Sequence, residues 1–354
     1  MKPHHFSHIA TRNAQDVLQA LQQTGPCSRA MLAQVTGLSR PTISQAAQRL
    51  ESLQLIRATD RRTRGQGRAG IIYEMNDALG VVVSVALDSQ HGQVAFFSLS
   101  GAVLFEQCFV ITSEHDKTEL LALLEQGIET GMADTGLPIL AIGISVAAPV
   151  DPDTHQVVQV PLLPFAQAGN TPFKQHLEGC FRVPCVIDND VNWAALAEAR
   201  RGSATQYHHF MCVYLGRGIG AGIYLGGQLI KGSNGLAGEL GYVKVDGHTN
   251  LQDFVSTAFH GAPENWQAEQ VDQAIRHIAH ILGTAVIMLN PDALILTGPL
   301  CQYSALLEQL TANIKQEMLR PLPLHISKMP ARASLDGAAG GAYFHYLTQL
   351  GFTL

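Results

Sequence analysis

A chain of 354 residues, 46% hydrophobic and 15% charged, is too long for one compact core, so two or three globular domains are expected. It has no run of about 18 apolar residues, and its opening MKPHHFSHIA lacks the apolar centre of a secretion signal, so the expectation is a cytoplasmic protein without membrane insertion. The net charge of −6 argues against nucleic acid for the chain as a whole, but residues 1–75 carry ten Lys/Arg against four Asp/Glu and the remainder thirteen against twenty-five, which keeps nucleic-acid contact open for the head alone.

Six cysteines (Cys27, Cys108, Cys180, Cys185, Cys212, Cys301) are scattered along the chain. Cys180 and Cys185 are the one close pair, no CxxC occurs, and buried thiols are the expectation rather than a disulfide framework or a metal centre.

In chain order, Ala14, Val17, Leu18 and Leu21 repeat at helical spacing up to the stop Thr24-Gly25-Pro26. A second helix starts from Ser28 as N-cap, with Met31, Leu32, Val35 and Leu38 as its apolar positions and Gly37 at its end. Ser39 caps a third, with Pro41 in the first turn and Ile43, Ala47, Leu50 and Leu53 as a buried stripe. Two short helices about a Gly-containing turn form the helix-turn-helix pattern. The exposed face of the third helix is expected to carry Arg40, Thr42, Ser44, Gln45, Gln48 and Arg49, which suit base edges and phosphates and include no acid. The competing reading is a helical hairpin with a polar outside. Leu55-Ile56 and Ile71-Ile72-Tyr73 then flank RATDRRTRGQGRAG, two short strands about a basic tip that make a wing. In the tip, Arg64, Gly67 and Arg68 suit a narrow minor groove or phosphates.

Beyond residue 80, Val81–Leu104 and Phe210–Ile230 share one layout of strand, short loop, strand, Gly turn and strand, which suggests two related α/β lobes with a ligand cleft between them. Cradling a polyphosphate needs clustered glycines. Leu215–Gly222 (LGRGIGAG) has them; Ala86–Gly92 (ALDSQHG) has one glycine and the carboxylate of Asp88. In VPCVIDNDVNWAALAEARRG (183–202) a buried strand runs into Asn189 and Asp190 at a helix start, where α/β folds place ligand contacts. Asp190 there is either a hydroxyl acceptor or general base, or only a helix cap. KGSNGLAGELGY (231–242) is a Gly-rich loop with one acid, Glu239, and SLDGAAGGAYFHY (334–346) opens a small-residue helix.

Together with AIGISVAAPVDP (141–152) and LNPDALILTG (289–298), these segments resemble the ROK family (repressors, open reading frames, kinases), and specifically its transcriptional-regulator branch, over nearly the whole chain. The resemblance implies an N-terminal winged helix-turn-helix at 1–80 and a two-lobed, actin-like sugar-kinase fold. Its first α/β lobe spans 81–190, with a C-terminal helix at 338–350 packing back; its second, at 191–337, serves oligomerisation as a homodimer or homotetramer. Asn189 and Asp190 match the family's sugar-contacting pair, with Asp190 at the kinases' catalytic-base position, and Glu239 matches a sugar-contacting glutamate. Tyr242 stands where the family has a zinc-binding histidine, KVDGHTNLQDFVS replaces its Cys-rich loop, and Gln252 aligns with the glutamate that closes it. The expectation is therefore no zinc, no cofactor and no catalysis. What remains is a repressor of carbohydrate genes that contacts an operator through Ser39, Arg40, Thr42, Ser44, Gln45, Arg49, Arg64, Gly67 and Arg68. Its cleft, at Asn189, Asp190, Glu239, Tyr242 and Gln252, takes a sugar or sugar phosphate. The alternative is an ATP-dependent sugar kinase with an appended DNA-binding head.

Overall fold

The computed structural model describes residues 8–62, 71–161, 165–216, 218–329 and 332–352. The head comprises α1 (His8–Thr24), β1 (Cys27–Ser28), α2 (Arg29–Thr36), α3 (Arg40–Ser52), β2 (Ile56–Arg62) and β3 (Ile71–Met75). Local chemistry sets its helix ends. Ser28 Oγ accepts from Met31 N at 3.3 Å, Gly37 closes α2 at φ +70°, and Ser39 Oγ accepts from Thr42 N at 3.3 Å. β2 and β3 form an antiparallel hairpin (Ala58 opposite Tyr73) that β1 extends in the order β1-β3-β2, a winged helix-turn-helix. Leu32, Ile43 and Leu50 are wholly buried, and each such side chain contributes about 1.5–3 kcal/mol. Met31 and Val35, expected in the α2 stripe, are 44% and 45% exposed: an eight-residue helix has two turns, and its buried line runs through Leu32 alone. Arg64, Gly67 and Arg68 lie outside the described residues.

The first lobe follows: β4 (Val81–Leu87), β5 (His91–Ser98), β6 (Val103–Val110), α4 (Lys117–Thr135), β7 (Ile139–Val146), α5 (Phe173–Phe181) and β8 (Cys185–Asn189). After α6 (Asp190–Arg201) comes the second: β9 (Phe210–Leu215), β10 (Ile219–Leu225), β11 (Gln228–Ile230), α7 (Leu251–Ala258), α8 (Ala268–Leu289), β12 (Ala293–Thr297), α9 (Ser304–Glu317) and β13 (Leu324–Ile326). Their sheets run β6-β5-β4-β7-β8 and β11-β10-β9-β12-β13. Each is an antiparallel meander extended by two parallel strands, so the repeated layout in the sequence is a duplicated topology. β4, β9 and β12 are almost wholly apolar because both faces of each sheet are covered.

The last helix, α10 (Ala333–Gln349), begins earlier than the 338 expected and lies across α6, β4 and β7. Small residues allow this approach: a Cβ on Gly337 would stand 2.0 Å from Trp193 O, and one on Gly143 2.0 Å from Ala338 O. Ser84 Oγ donates to Leu335 O at 2.6 Å, and Trp193 Nε1 to Ile144 O at 2.8 Å. Leu347 and Phe352 carry this packing into the head, so one apolar core runs from α1 and α3 through α10 to the near face of the first sheet at Val82 and Phe97. Gln22 Nε2 donates to Leu99 O at 2.9 Å across the same junction.

Candidate functional site: the interlobe cleft and the head

Between the lobes is a cavity of about 630 Å³ lined by Asn189, Asp190, Glu239, Tyr242 and Gln252, all five positions singled out in the sequence. Their roles differ. Asn189 is the N-cap of α6: its Oδ1 accepts from Val191 N at 2.9 Å and Asn192 N at 3.3 Å, and its Nδ2 donates to Ala148 O at 3.2 Å. Asp190 is the first helical residue, and its Oδ1 also accepts from Val191 N, at 2.8 Å. Burial pushes the Asp190 carboxyl up to about 7, Asp88 across the cavity adding to the effect and the Val191 hydrogen bond opposing it. Burial likewise lifts Glu239 to about 7, with Asp190 adding. Two such raised carboxyls facing one cavity have the chemistry to accept hydrogen bonds from hydroxyl groups and, while protonated, to donate them. Burial also raises the Tyr242 phenol, followed by the charges of Glu239 and Asp253.

Gln252 Oε1 accepts from Ile219 N at 2.8 Å and Nε2 donates to Ser256 Oγ at 3.1 Å, so this carboxamide ties β10 to α7. Sequence reasoning passed over Asp188, which sits behind the site and is 2% exposed. Its Oδ1 accepts from Asn189 N and Asn192 Nδ2 at 2.8 and 2.9 Å, and its Oδ2 pairs at 2.6 Å with Lys231 of the second lobe. A buried acid at the end of a strand, two residues before Asp190, was the available signal.

The two hairpin turns are unequal. In the first, Asp88 Oδ1 accepts from Gln90 N at 2.7 Å and His91 N at 2.8 Å, so the turn's amides are bonded to its own carboxylate. In the second, Leu215 already pairs with Ile219, and Gly220 and Gly222 lie in strand β10 rather than in a loop. Gly222, expected in a phosphate cradle, serves packing: a Cβ there would lie 2.6 Å from Ala195 Cβ on α6. Arg217 lies outside the described residues.

The residues that follow Tyr242 do not fit the zinc that members of the resembled family hold in the corresponding loop. Asp246 accepts from His248 N at 2.9 Å, Thr249 N at 2.6 Å and Thr249 Oγ1 at 2.8 Å, and these bonds hold its carboxyl down at about 2. Lys244 Nζ donates to His248 O at 2.6 Å. The loop is closed by its own hydrogen bonds, and it offers no thiolate.

In the head, Ser39, Arg40, Gln45 and Gln48 are exposed along α3, with Thr42 and Ser44 half-buried. Thr42 Oγ1 is 2.8 Å from Ser39 Oγ, and Ser44 Oγ donates to Arg40 O at 3.1 Å. Arg49, expected on the same exposed face, is placed otherwise. Its Nη1 donates to Thr11 Oγ1 at 3.1 Å, its guanidinium lies 4.9 Å from the centre of the Phe352 ring, and burial lowers its pKa. Its surroundings come from α1 and the far end of the chain, which helical spacing within α3 cannot report.

Residues 82–261 match the ROK family, half of the chain. The chain belongs to the ROK family. Residues 11–69 of this ROK protein match the MarR family, over the winged head. A putative xylose repressor of Caldicellulosiruptor sp. (strain Rt8B.4) is 26% identical over 258 residues, covering 72% of this chain and 63% of that protein. The chain thus spans a little under two thirds of the length of the curated relatives it first matches. Among solved structures, a ROK family transcriptional regulator described as a homologue of the E. coli MLC protein superposes with a TM-score of 0.74 at 22% identity, over 98% of this chain and 97% of that one. A ROK hexokinase from Thermus thermophilus superposes with a TM-score of 0.62 at 23% identity, over 76% of this chain and 99% of that one. These likenesses establish the ROK fold behind a winged head; among the described residues no helix is long and apolar enough to cross a membrane.

Proposed function

We propose that this ROK protein is a sugar-responsive transcriptional repressor, working in the cytoplasm as a homodimer or homotetramer. Its operator is double-stranded DNA, contacted through the exposed residues of α3 and the basic tip of the wing. Its effector is a sugar or sugar phosphate held by Asn189, Asp190, Glu239 and Tyr242. The observation that carries this reading is the core shared by head and body: α10 is packed against the cleft-bearing helix α6 and, through Leu347 and Phe352, against the helices of the head. A ligand that alters how the lobes sit on α10 has a packed route to α3, and it weakens DNA binding by its differential affinity for the two forms. The repressor names carried by relatives support the same reading. We assign no catalysis, because the first hairpin turn spends its amides on Asp88.

Gel shift of the full chain against genomic fragments tests the proposal. Binding that weakens steeply with salt and is released by one sugar of a panel supports it; absent or salt-insensitive binding refutes it. A sugar-kinase reading is favoured by one observation, the Asp190 carboxyl near 7 on the cleft wall, which suits a general base. Coupled ATP-turnover assays across hexoses and amino sugars, with Asp190→Asn as control, separate the two.

A further inference from the structure

On the face of the first sheet opposite α10, α4 and α5 lie side by side over a core of Leu124, Ile128, Phe173 and Leu177. Glu125 of α4 there meets His176 and Cys180 of α5, four residues apart and therefore on one helical face. Cys180 Sγ donates to Glu125 Oε1 at 3.1 Å and lies 3.7 Å from His176 Nε2, which touches the same carboxylate oxygen. All three ligand-type atoms lie within 4.8 Å of one another.

Which ring nitrogen is used distinguishes two kinds of site. In a nucleophile relay, the thiol faces one nitrogen of the imidazole and the carboxylate orients it through the other. Here Nε2 faces both, so thiol, imidazole and carboxylate converge on one point. Convergence suits a tetrahedral cation, whose bonds of about 2.0–2.3 Å to N, O and S set its ligand atoms about 3.3–3.8 Å apart. Cys180 and its neighbours are within reach of solvent.

We propose that Glu125, His176 and Cys180 form a binding site for a divalent transition-metal ion of the zinc class, with water in the fourth position. The mixed soft and borderline donor set selects zinc-like ions over magnesium or calcium. On binding, the Cys180 S–H bond breaks, its proton passes to solvent, the thiolate binds the ion without redox change, and the His176–Glu125 contact opens to admit it. The site is separate from the loop after Tyr242. A bound ion would staple α5 to α4. α5 is already tied to the strand that presents Asn189, since Glu178 accepts from Cys185 N at 3.1 Å at the start of β8.

The full chain, stripped with a chelator, is titrated with Co²⁺ and then with Zn²⁺ against a chromophoric chelator. The expected result is an ion held at this site with a thiolate-to-cobalt charge-transfer band. Cys180→Ser abolishes the band. His176→Ala weakens Zn²⁺ binding by about 100-fold or more, since changing even a residue behind a ligand costs about 10–100-fold. Cys108→Ser, at another exposed cysteine, changes neither, and circular dichroism verifies that each variant is folded. Cobalt binding without the thiolate band, a band surviving in Cys180→Ser, zinc affinity unchanged in His176→Ala, or no ion retained against the chelator would each overturn the assignment.

Discussion

Replacing Asp190 by Asn measures how dry the cleft is. Asn keeps the acceptor that Val191 N uses and removes the charge. The Asp190 carboxyl is lifted from 3.8 to about 7, mainly by burial. At about 1.4 kcal/mol per unit, this sets a ceiling of about 4 kcal/mol on the cost of its ionisation in the folded protein. The side chain lines an open cavity, and water there reduces the cost, so about 2 kcal/mol is expected. The sign follows from the direction of the shift. Well below 3.8 the carboxyl is protonated in folded and unfolded chains alike; as pH rises toward 7 the unfolded chain ionises first, and the folded state loses stability. Asp190→Asn should therefore leave the melting temperature at pH 3 nearly unchanged and stabilise the protein by about 2 kcal/mol at pH 8, which is several degrees for a chain of this size. Thermal unfolding followed by circular dichroism at the two pH values checks it. Equal stability of the two proteins at pH 8, or the same difference at both pH values, would show a solvated Asp190 and refute a dry carboxyl pair.

Arg40→Ala should weaken operator binding and reduce the salt slope by about one phosphate contact in a fluorescence-anisotropy titration. Arg49→Ala should leave that slope in place and lower the melting temperature, because its guanidinium packs on Thr11 and Phe352. Gly337→Ala would normally gain about 1 kcal/mol in a helix, yet here it should destabilise by about 3 kcal/mol in urea unfolding, since the new Cβ meets Trp193 O at 2.0 Å. Gln252→Ala should cost about 1–3 kcal/mol by the same measurement, because Ile219 N loses the acceptor it has at 2.8 Å.

What the sequence determined by itself is whatever is encoded over a few neighbouring residues. Ser28, Gly37, Ser39 and Pro41 set the ends of α2 and α3 through bonds and backbone angles that span one turn. Likewise, the apolar runs at Val81–Leu87 and Phe210–Leu215 announced strands, and Asn189 and Asp190 declared their place because a strand's end and a helix's start are both local signals. Tertiary structure alone decided the pairings between distant segments. It turned Arg49 away from the exposed face of α3, because Thr11 reaches it only once α1 packs on α3, and Phe352 only after α10 has crossed the first lobe. It set Lys231 on Asp188 from the opposite lobe and brought Glu125 to His176 and Cys180 across two helices. Periodicity reports which side of an element is apolar; it carries no record of which other element covers that side. Charge compensation, close glycine contacts and ligand convergence depend on that second fact, so they exist only once the chain has folded.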